Sequence, residues 1–122
     1  MLKLSIPVLH ISNSVAAEAF YCNGLGFRQE YAYRPAEGKK DPCYMGLTRD
    51  GVWLHLSSFS GDGVSGGVAY LLVDDVDALR AELDAKNVPI HLEPTDQTWG
   101  NREMYVKDAD GNSIRFIHQI RE

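Results

Sequence analysis

Apolar residues follow a strand pattern and then a helical pattern at the start of the chain. Residues 2–11 are rich in Leu, Ile and Val and predict a strand, which Pro7 places at a sheet edge or a bulge. Polar capping residues at 12–14 are followed by apolar residues at helical spacing between positions 15 and 22. The glycines in 24–27 predict the end of this helix, which therefore has about three turns.

The next segments alternate between strand-like and turn-like composition. The pattern predicts strands at 27–33, 43–48 and 52–57, an exposed loop at 34–42 and a tight Asp-Gly hairpin at 49–51. Glycine and serine then dominate residues 58–67, which is typical of a flexible connector. We therefore predict a first module at about residues 1–59 and a linker at about 60–66.

The same order of elements begins again after the linker. A strand is predicted at 68–73, a helix capped by Asp74-Asp75 and running to about 87, and three strands at 90–93, 103–107 and 113–119. Each half therefore reads strand, helix, strand, strand, strand. We predict a single α+β domain of two βαβββ modules, the second at about residues 67–122.

Length, composition and charge exclude several classes of protein. The 122 residues, 44% hydrophobic and 24% charged, suit one folded domain. A net charge of −5 without a basic run argues against nucleic-acid binding, and no apolar stretch is long enough to span a membrane. Cys22 and Cys43 encode neither a disulfide framework nor a cysteine-rich zinc site. Because the start of the chain does not resemble a signal peptide, we expect a cytoplasmic protein.

Four motifs occur in a characteristic order along the chain: Gly24-Leu25-Gly26-Phe27, Val73-Asp74-Asp75-Val76, Trp99-Gly100-Asn101-Arg102-Glu103 and Asp108-Ala109-Asp110-Gly111-Asn112. With them the chain resembles the vicinal oxygen chelate superfamily of glyoxalases, bleomycin resistance proteins and dioxygenases. The segment from Gln97 to Phe116 looks most like the bleomycin resistance proteins. The resemblance implies a curved, eight-stranded mixed sheet and a homodimer in which the first strand is exchanged near Pro7.

The metal positions of this superfamily are poorly matched here. They correspond to Ile6, His55, Val68 and Arg115, and only His55 can bind a metal, whereas a divalent site needs about three or four donors. Moving His10 or His118 into the site would require a register shift that turns a whole strand over. We therefore predict no metal, no cofactor and no catalytic residues, hence not an enzyme. A divalent-metal lyase or dioxygenase with misaligned ligands remains the alternative.

Strand alternation places Trp53 and His55 on one face, opposite the aliphatic residues of the same strand. The resemblance implies that this face forms a ligand groove, although ordinary packing would explain many of its aromatic residues equally well. Trp99 is the better candidate because it lies in a polar loop. The predicted ligand-binding residues are Tyr31, Tyr33, Tyr44, Trp53, His55, Phe59, Trp99, Arg102, Met104 and Arg115.

The ligand implied by the resemblance is an antibiotic of the bleomycin type, a glycopeptide with flat rings and a cationic tail. Two grooves at the dimer interface would sequester the drug and confer resistance. Glu37 and Asp41 in the loop before Tyr44 are candidates to meet the cationic tail, against the simpler interpretation of a solvated loop. An unrelated metabolite as the natural ligand is a further alternative that the residues leave open.

Overall fold

A computed structural model of the protein describes residues 1–120, which form eight strands and two helical segments. No helix among these residues is long and apolar enough to cross a membrane. The elements are β1 Val8–His10, α1 Ser14–Glu18 with a π-helical continuation Ala19–Gly24, β2 Arg28–Tyr33, β3 Tyr44–Arg49, β4 Val52–Ser57, β5 Val68–Leu72, α2 Val76–Ala85, β6 Leu92–Asp96, β7 Asn101–Lys107 and β8 Ser113–Gln119.

The strands form two four-stranded mixed sheets of the same topology. Their orders are β1-β4-β3-β2 and β5-β8-β7-β6, and in each the first strand is parallel to the last while the other pairs are antiparallel. This confirms an α+β fold of two βαβββ modules. Within residues 1–120 the edge strands β1 and β5 are not hydrogen-bonded to each other, so the chain has two sheets rather than one continuous eight-stranded sheet.

Both helices begin where capping side chains were predicted. The side chain of Asn13 accepts a hydrogen bond from the Ala16 amide at 3.0 Å, and that of Asp75 accepts one from the Ala78 amide at 3.0 Å. The first helix has fewer α-helical turns than predicted, because the backbone changes to π-helical geometry at Ala19.

The helices cover one face of each sheet and leave the other face open. Leu54 and Leu56 of β4 and Met104 of β7 point to the helix side and are buried, as are Ile114 and Phe116 of β8. Trp53 and His55, which alternate with the buried leucines, point to the open side and are only half-buried. The period-two alternation predicted for β4 therefore holds from Trp53 to Leu56, whereas Val52 at its start is exposed and Ser57 at its end is buried.

Polar contacts join the two modules across their shared core. The buried Tyr21 hydroxyl donates to the Asp108 carboxylate at 2.7 Å, and burial together with that carboxylate raises the pKa of Tyr21. On the opposite side, the Arg49 guanidinium donates to both Glu82 carboxylate oxygens at 2.7 and 2.9 Å. Asn112 donates to the His10 carbonyl at 2.7 Å. The modules therefore pack as one unit.

The first strand is much shorter than the apolar run that predicted it. Only Val8–His10 pairs with β4, and the Pro7 carbonyl accepts one further hydrogen bond from the His55 amide at 2.9 Å. Before Pro7 the chain leaves the sheet, and Leu2 and Leu4 are 100% and 70% exposed. Proline has no N–H to donate to a neighbouring strand, so the pairing ends there. Residues 1–6 are called the N-terminal arm below.

Candidate functional site

Aromatic side chains cover the open face of the first sheet. We call this surface the module-one face; it comprises Tyr31, Tyr33, Tyr44, Trp53 and His55 from the strands, with Phe59 beyond the end of β4. Cross-strand pairing accounts for the cluster, because the partners in register along β2, β3 and β4 project on the same side. The six aromatic residues predicted from the first module therefore lie together.

His55 is the centre of this face. Its Nδ1 lies 2.8 Å from the Tyr44 hydroxyl and its Nε2 lies 3.2 Å from the Tyr31 hydroxyl. The Trp53 ring lies edge-on to the imidazole, with 5.9 Å between the ring centroids. Burial lowers the pKa of His55, so the ring is neutral at pH 7. A neutral imidazole donates from one nitrogen and accepts at the other, which matches one phenol on each side.

Gly46 makes the contact between Tyr31 and His55 geometrically feasible. It pairs with Tyr31 on one side and His55 on the other, and a Cβ at this position would come within 2.5 Å of the Tyr31 ring. Without a side chain there, the tyrosine ring can lie across the β3 backbone and reach the histidine. The sequence interpretation missed this residue; its only signal was a glycine in the middle of a strand.

Of the two acidic contacts predicted near this face, Asp41 is already engaged. The Asp41 carboxylate accepts hydrogen bonds from the Ser14 amide at 3.1 Å and from the Ser58 hydroxyl at 2.7 Å. Burial opposes ionisation of Asp41, but these hydrogen bonds outweigh it and lower its pKa. Asp41 therefore anchors its own loop, while Glu37 is exposed to solvent.

The open face of the second sheet has a polar centre with aromatic residues around it. We call it the module-two face, formed by Tyr70, Asn101, Glu103, Tyr105 and Arg115, with Trp99 beside them. Tyr70, Arg115 and Tyr105 are direct cross-strand partners on β5, β8 and β7. The sequence interpretation found Trp99 and Arg115 here but missed the other four, which nothing but strand alternation could have indicated.

Glu103 organises the module-two face. Its carboxylate is only 2% exposed and accepts hydrogen bonds from the Trp99 indole at 2.8 Å, from Asn101 at 3.3 Å and from the Tyr105 hydroxyl. Burial opposes ionisation, but these hydrogen bonds, with the nearby charge of Arg115, outweigh it and lower the pKa of Glu103. The glutamate is therefore ionised at neutral pH and fixes the side chains around it.

Trp99 is both exposed and held in place. Its ring is 61% exposed, yet its indole N–H is bonded to Glu103. The Arg115 guanidinium lies 4.5 Å above the Tyr105 ring centroid, within cation–π range. An apolar ring fixed at the surface presents contact area at low entropic cost to a ligand.

Two predicted ligand-binding residues point to the helix side instead. Met104 is fully buried in the core, and Arg102 donates to Asp77 and Asp96 at 2.9 and 3.0 Å. Strand alternation explains both placements, because Asn101, Glu103 and Tyr105 take the open side of β7 and the even-numbered residues take the other. The site defined here therefore leaves out Arg102 and Met104.

The donor groups on the open faces do not fit a divalent metal. The resemblance puts the metal positions at Ile6, His55, Val68 and Arg115, and His55 is the one imidazole or carboxylate among them. The strand partners of His55 and Arg115, which are Val8 and Tyr70, supply neither group. Among residues 1–120, no three His, Cys, Asp or Glu side chains come close enough together to hold a metal ion. The superfamily's metal chemistry therefore has no matching ligand set in the described chain.

A sequence profile described as "Glyoxalase superfamily protein" matches residues 1–122, and the chain belongs to this superfamily, also known as the vicinal oxygen chelate superfamily. A search of curated proteins found no significant match.

Solved structures share the fold at low sequence identity. The antibiotic-binding protein TnmS3 from Streptomyces sp. CB03234 is 23% identical, with a TM-score of 0.76 over 98% of this chain and 97% of that one. A bleomycin-binding protein in complex with bleomycin is 23% identical, with a TM-score of 0.74 over 96% and 98% of the two chains. A lactoylglutathione lyase from Agrobacterium tumefaciens is 19% identical, with a TM-score of 0.71 over 95% and 92%. The shared fold therefore accommodates both binding proteins and an enzyme.

Proposed function

We propose that the protein is a metal-free binding protein that sequesters a flat aromatic antibiotic of the bleomycin type and so confers resistance. The main support is the aromatic covering of the open sheet faces. Exposed rings such as Tyr31, Tyr33 and Trp99 contribute nothing to the core, whereas they suit stacking against a flat ligand. Sequestration needs no catalytic group, because free drug is depleted by mass action once binding sites outnumber it.

The similar solved structures include antibiotic-binding proteins and an enzyme, and both bear on this proposal. TnmS3 and the bleomycin-binding protein share the fold and bind antibiotics, which supports a binding role for this chain. The lyase shares the fold as well, and a metal-dependent lyase or dioxygenase is the alternative function. The ligand set decides our preference, since Ile6, Val68 and Arg115 stand at the metal positions beside His55 and none of them suits a divalent metal.

We further propose that the grooves form in a homodimer. The open faces expose apolar residues, including Val68, Tyr70 and Leu72 on the edge strand β5, and the N-terminal arm extends away from its own module. A cleft of about 470 Å³ lies between Val52 at the start of β4 and residues 71–73 at the end of β5. Because β1 is parallel to β4, with Val8 opposite His55, its continuation before Pro7 would run beside Val52. The arm of a second copy suits this cleft.

The proposal is tested by calorimetric titration of chelator-treated protein with metal-free bleomycin. We expect saturable binding near one drug per chain, unchanged by prior chelation. Trp99→Ala should weaken binding by about 1–3 kcal/mol, as expected for loss of an aromatic anchor. Arg102→Gln is the matched control, and its affinity should equal that of the wild type because Arg102 lies on the helix side.

Three results would contradict the proposal. Absence of saturable binding would remove bleomycin-type drugs from the ligand range. Equal affinities of the wild type and Trp99→Ala would remove Trp99 from the groove. A divalent metal retained at near one per subunit, together with lyase or dioxygenase activity lost on chelation, would establish the alternative.

A further inference from the structure

A large share of the chain's acidic residues lies away from its ligand faces. Much of the acidity lies in the segment around α2, which contains Asp74, Asp75, Asp77, Glu82 and Asp84. Of these, Asp77 pairs with Arg102 and Glu82 pairs with Arg49, both on the helix side of the sheets. The net charge of −5 is therefore no evidence for a cationic ligand.

Glu30 and Glu103, the carboxylates carried by strands at or on the open faces, accept hydrogen bonds from the protein's own donors. Glu30 at the edge of the module-one face is paired with Arg28 and accepts from the Thr48 hydroxyl. Glu103 on the module-two face is almost completely buried beneath its three donors. Both oxygens of Glu103 accept hydrogen bonds, so the module-two face offers a cation no accessible, unshared carboxylate oxygen.

Arg115, in contrast, has donor capacity to spare. Its Nε lies 3.4 Å from the Ser113 hydroxyl, and the guanidinium makes no ion pair with the carboxylates of residues 1–120. The guanidinium carbon of Arg115 lies 4.5 Å from the Tyr105 ring centroid, a contact that holds the group on the open side of the sheet. A planar guanidinium held in this way binds a carboxylate or similar anion through two parallel N–H donors.

A second cation lies on the same face. Lys107 follows Tyr105 by two residues on β7 and is exposed, so it projects on the same side of the sheet. It pairs in register with Ser113, the residue that contacts Arg115. The module-two face therefore carries two positively charged side chains, Arg115 and Lys107. Its one carboxylate, Glu103, is buried and hydrogen-bonded within the protein.

From this arrangement we infer that the module-two face selects flat aromatic ligands whose polar substituent is anionic. Trp99 stacks on the rings, and Arg115, linked to it through Tyr105 and Glu103, binds the anion. This inference rests on the proposed function and reverses the cationic preference expected from the resemblance. The flat rings of a bleomycin-type drug still fit the face, while its cationic tail finds no free carboxylate there.

The test uses two fluorescent probes with the same ring system and opposite charges, anthracenecarboxylate and aminomethylanthracene, substituted at the same ring position. We expect the carboxylate to bind about 10-fold more tightly at low ionic strength, which corresponds to about 1.4 kcal/mol. Added salt should reduce the preference, because partly exposed charges are screened.

Variants assign the preference to its residue. Arg115→Gln should bring the two dissociation constants to within about 3-fold, and Lys107→Gln should reduce the preference by a smaller factor, since an exposed amine is more strongly screened. Arg80→Gln is the matched control, because Arg80 pairs with Glu93 and Asp84 on the surface of α2 and should leave the preference unchanged. Circular dichroism checks that each variant is folded.

The outcomes distinguish failure of the proposed function from failure of the inferred charge preference. Failure of both probes to bind would overturn the aromatic groove and with it the proposed function. Equal binding of the probes, or tighter binding of the amine, would overturn the inference alone. The same would follow if the carboxylate preference survived in folded Arg115→Gln.

Discussion

Single residues on the two open faces act through the partners that hold them. His55 is positioned by two phenols and Trp99 by a buried carboxylate, so each aromatic ring has a defined orientation despite its exposure. Gly46 and Glu103 are not predicted contact residues, yet they place Tyr31 and Trp99. Residue identity alone did not indicate these supporting roles.

The lowered pKa of His55 predicts a pH dependence of stability. An unfolded histidine has a pKa of about 6.5, and the folded value is lower, so below about pH 6.5 the unfolded chain binds a proton that the folded chain does not. The free energy of unfolding should therefore decrease as the pH falls through this range. His55→Gln, which keeps hydrogen-bonding groups but cannot titrate, should lose less stability between pH 7.5 and pH 5.5.

Urea denaturation of both proteins at the two pH values measures the difference. His10, His91 and His118 are present in both chains, so comparing them isolates the contribution of His55. An identical pH dependence would show that His55 titrates alike in the folded and unfolded states.

At the scale of elements, strand alternation decides which side chains reach the ligand faces. It correctly groups Trp53 with His55, and it also explains why Arg102 and Met104 fail as site residues. The helices are specified more locally, by capping side chains at Asn13 and Asp75. Cap residues and turns were therefore predictable, whereas the change from α- to π-helical geometry in the first module was not.

Removal of the α2 cap tests this local specification. Asp75→Ala deletes the acceptor of the Ala78 amide and should lower the free energy of unfolding by about 1 kcal/mol. Asp74→Ala is the control, because it removes the same charge from the neighbouring position outside the cap and should change stability by less than about 0.5 kcal/mol. Chemical denaturation compares the two, and equal losses would attribute the effect to charge alone.

At the scale of the whole molecule, the two modules form one unit that still exposes apolar surface. The hydrogen bond between Tyr21 and Asp108 and the ion pair between Arg49 and Glu82 join the modules. The N-terminal arm and the edge strand β5 remain apolar and exposed. A second copy that covers them would bury this surface and complete the grooves.

Deletion of residues 2–6 tests the proposed assembly. If the arm exchanges between subunits, the truncated protein should shift from dimer to monomer in sedimentation velocity, and its ligand affinity should fall because the grooves lie at the interface. Lys3→Gln keeps the apolar arm and is the control, which should remain dimeric. A truncated protein that stays dimeric with full affinity would exclude a role for the arm.

The sequence by itself determined the module order, the hairpins, the helix caps and the superfamily, because these depend on short-range patterns and turn chemistry. It also placed Trp53 with His55 on one face of β4, since alternation within a strand is a local property. Only the tertiary structure showed that Glu103 is buried beneath Trp99, that Gly46 leaves space for Tyr31, and that Asp77 and Glu82 of the α2 segment pair on the helix side. These features depend on the pairing and packing of residues distant in sequence, which local patterns do not encode.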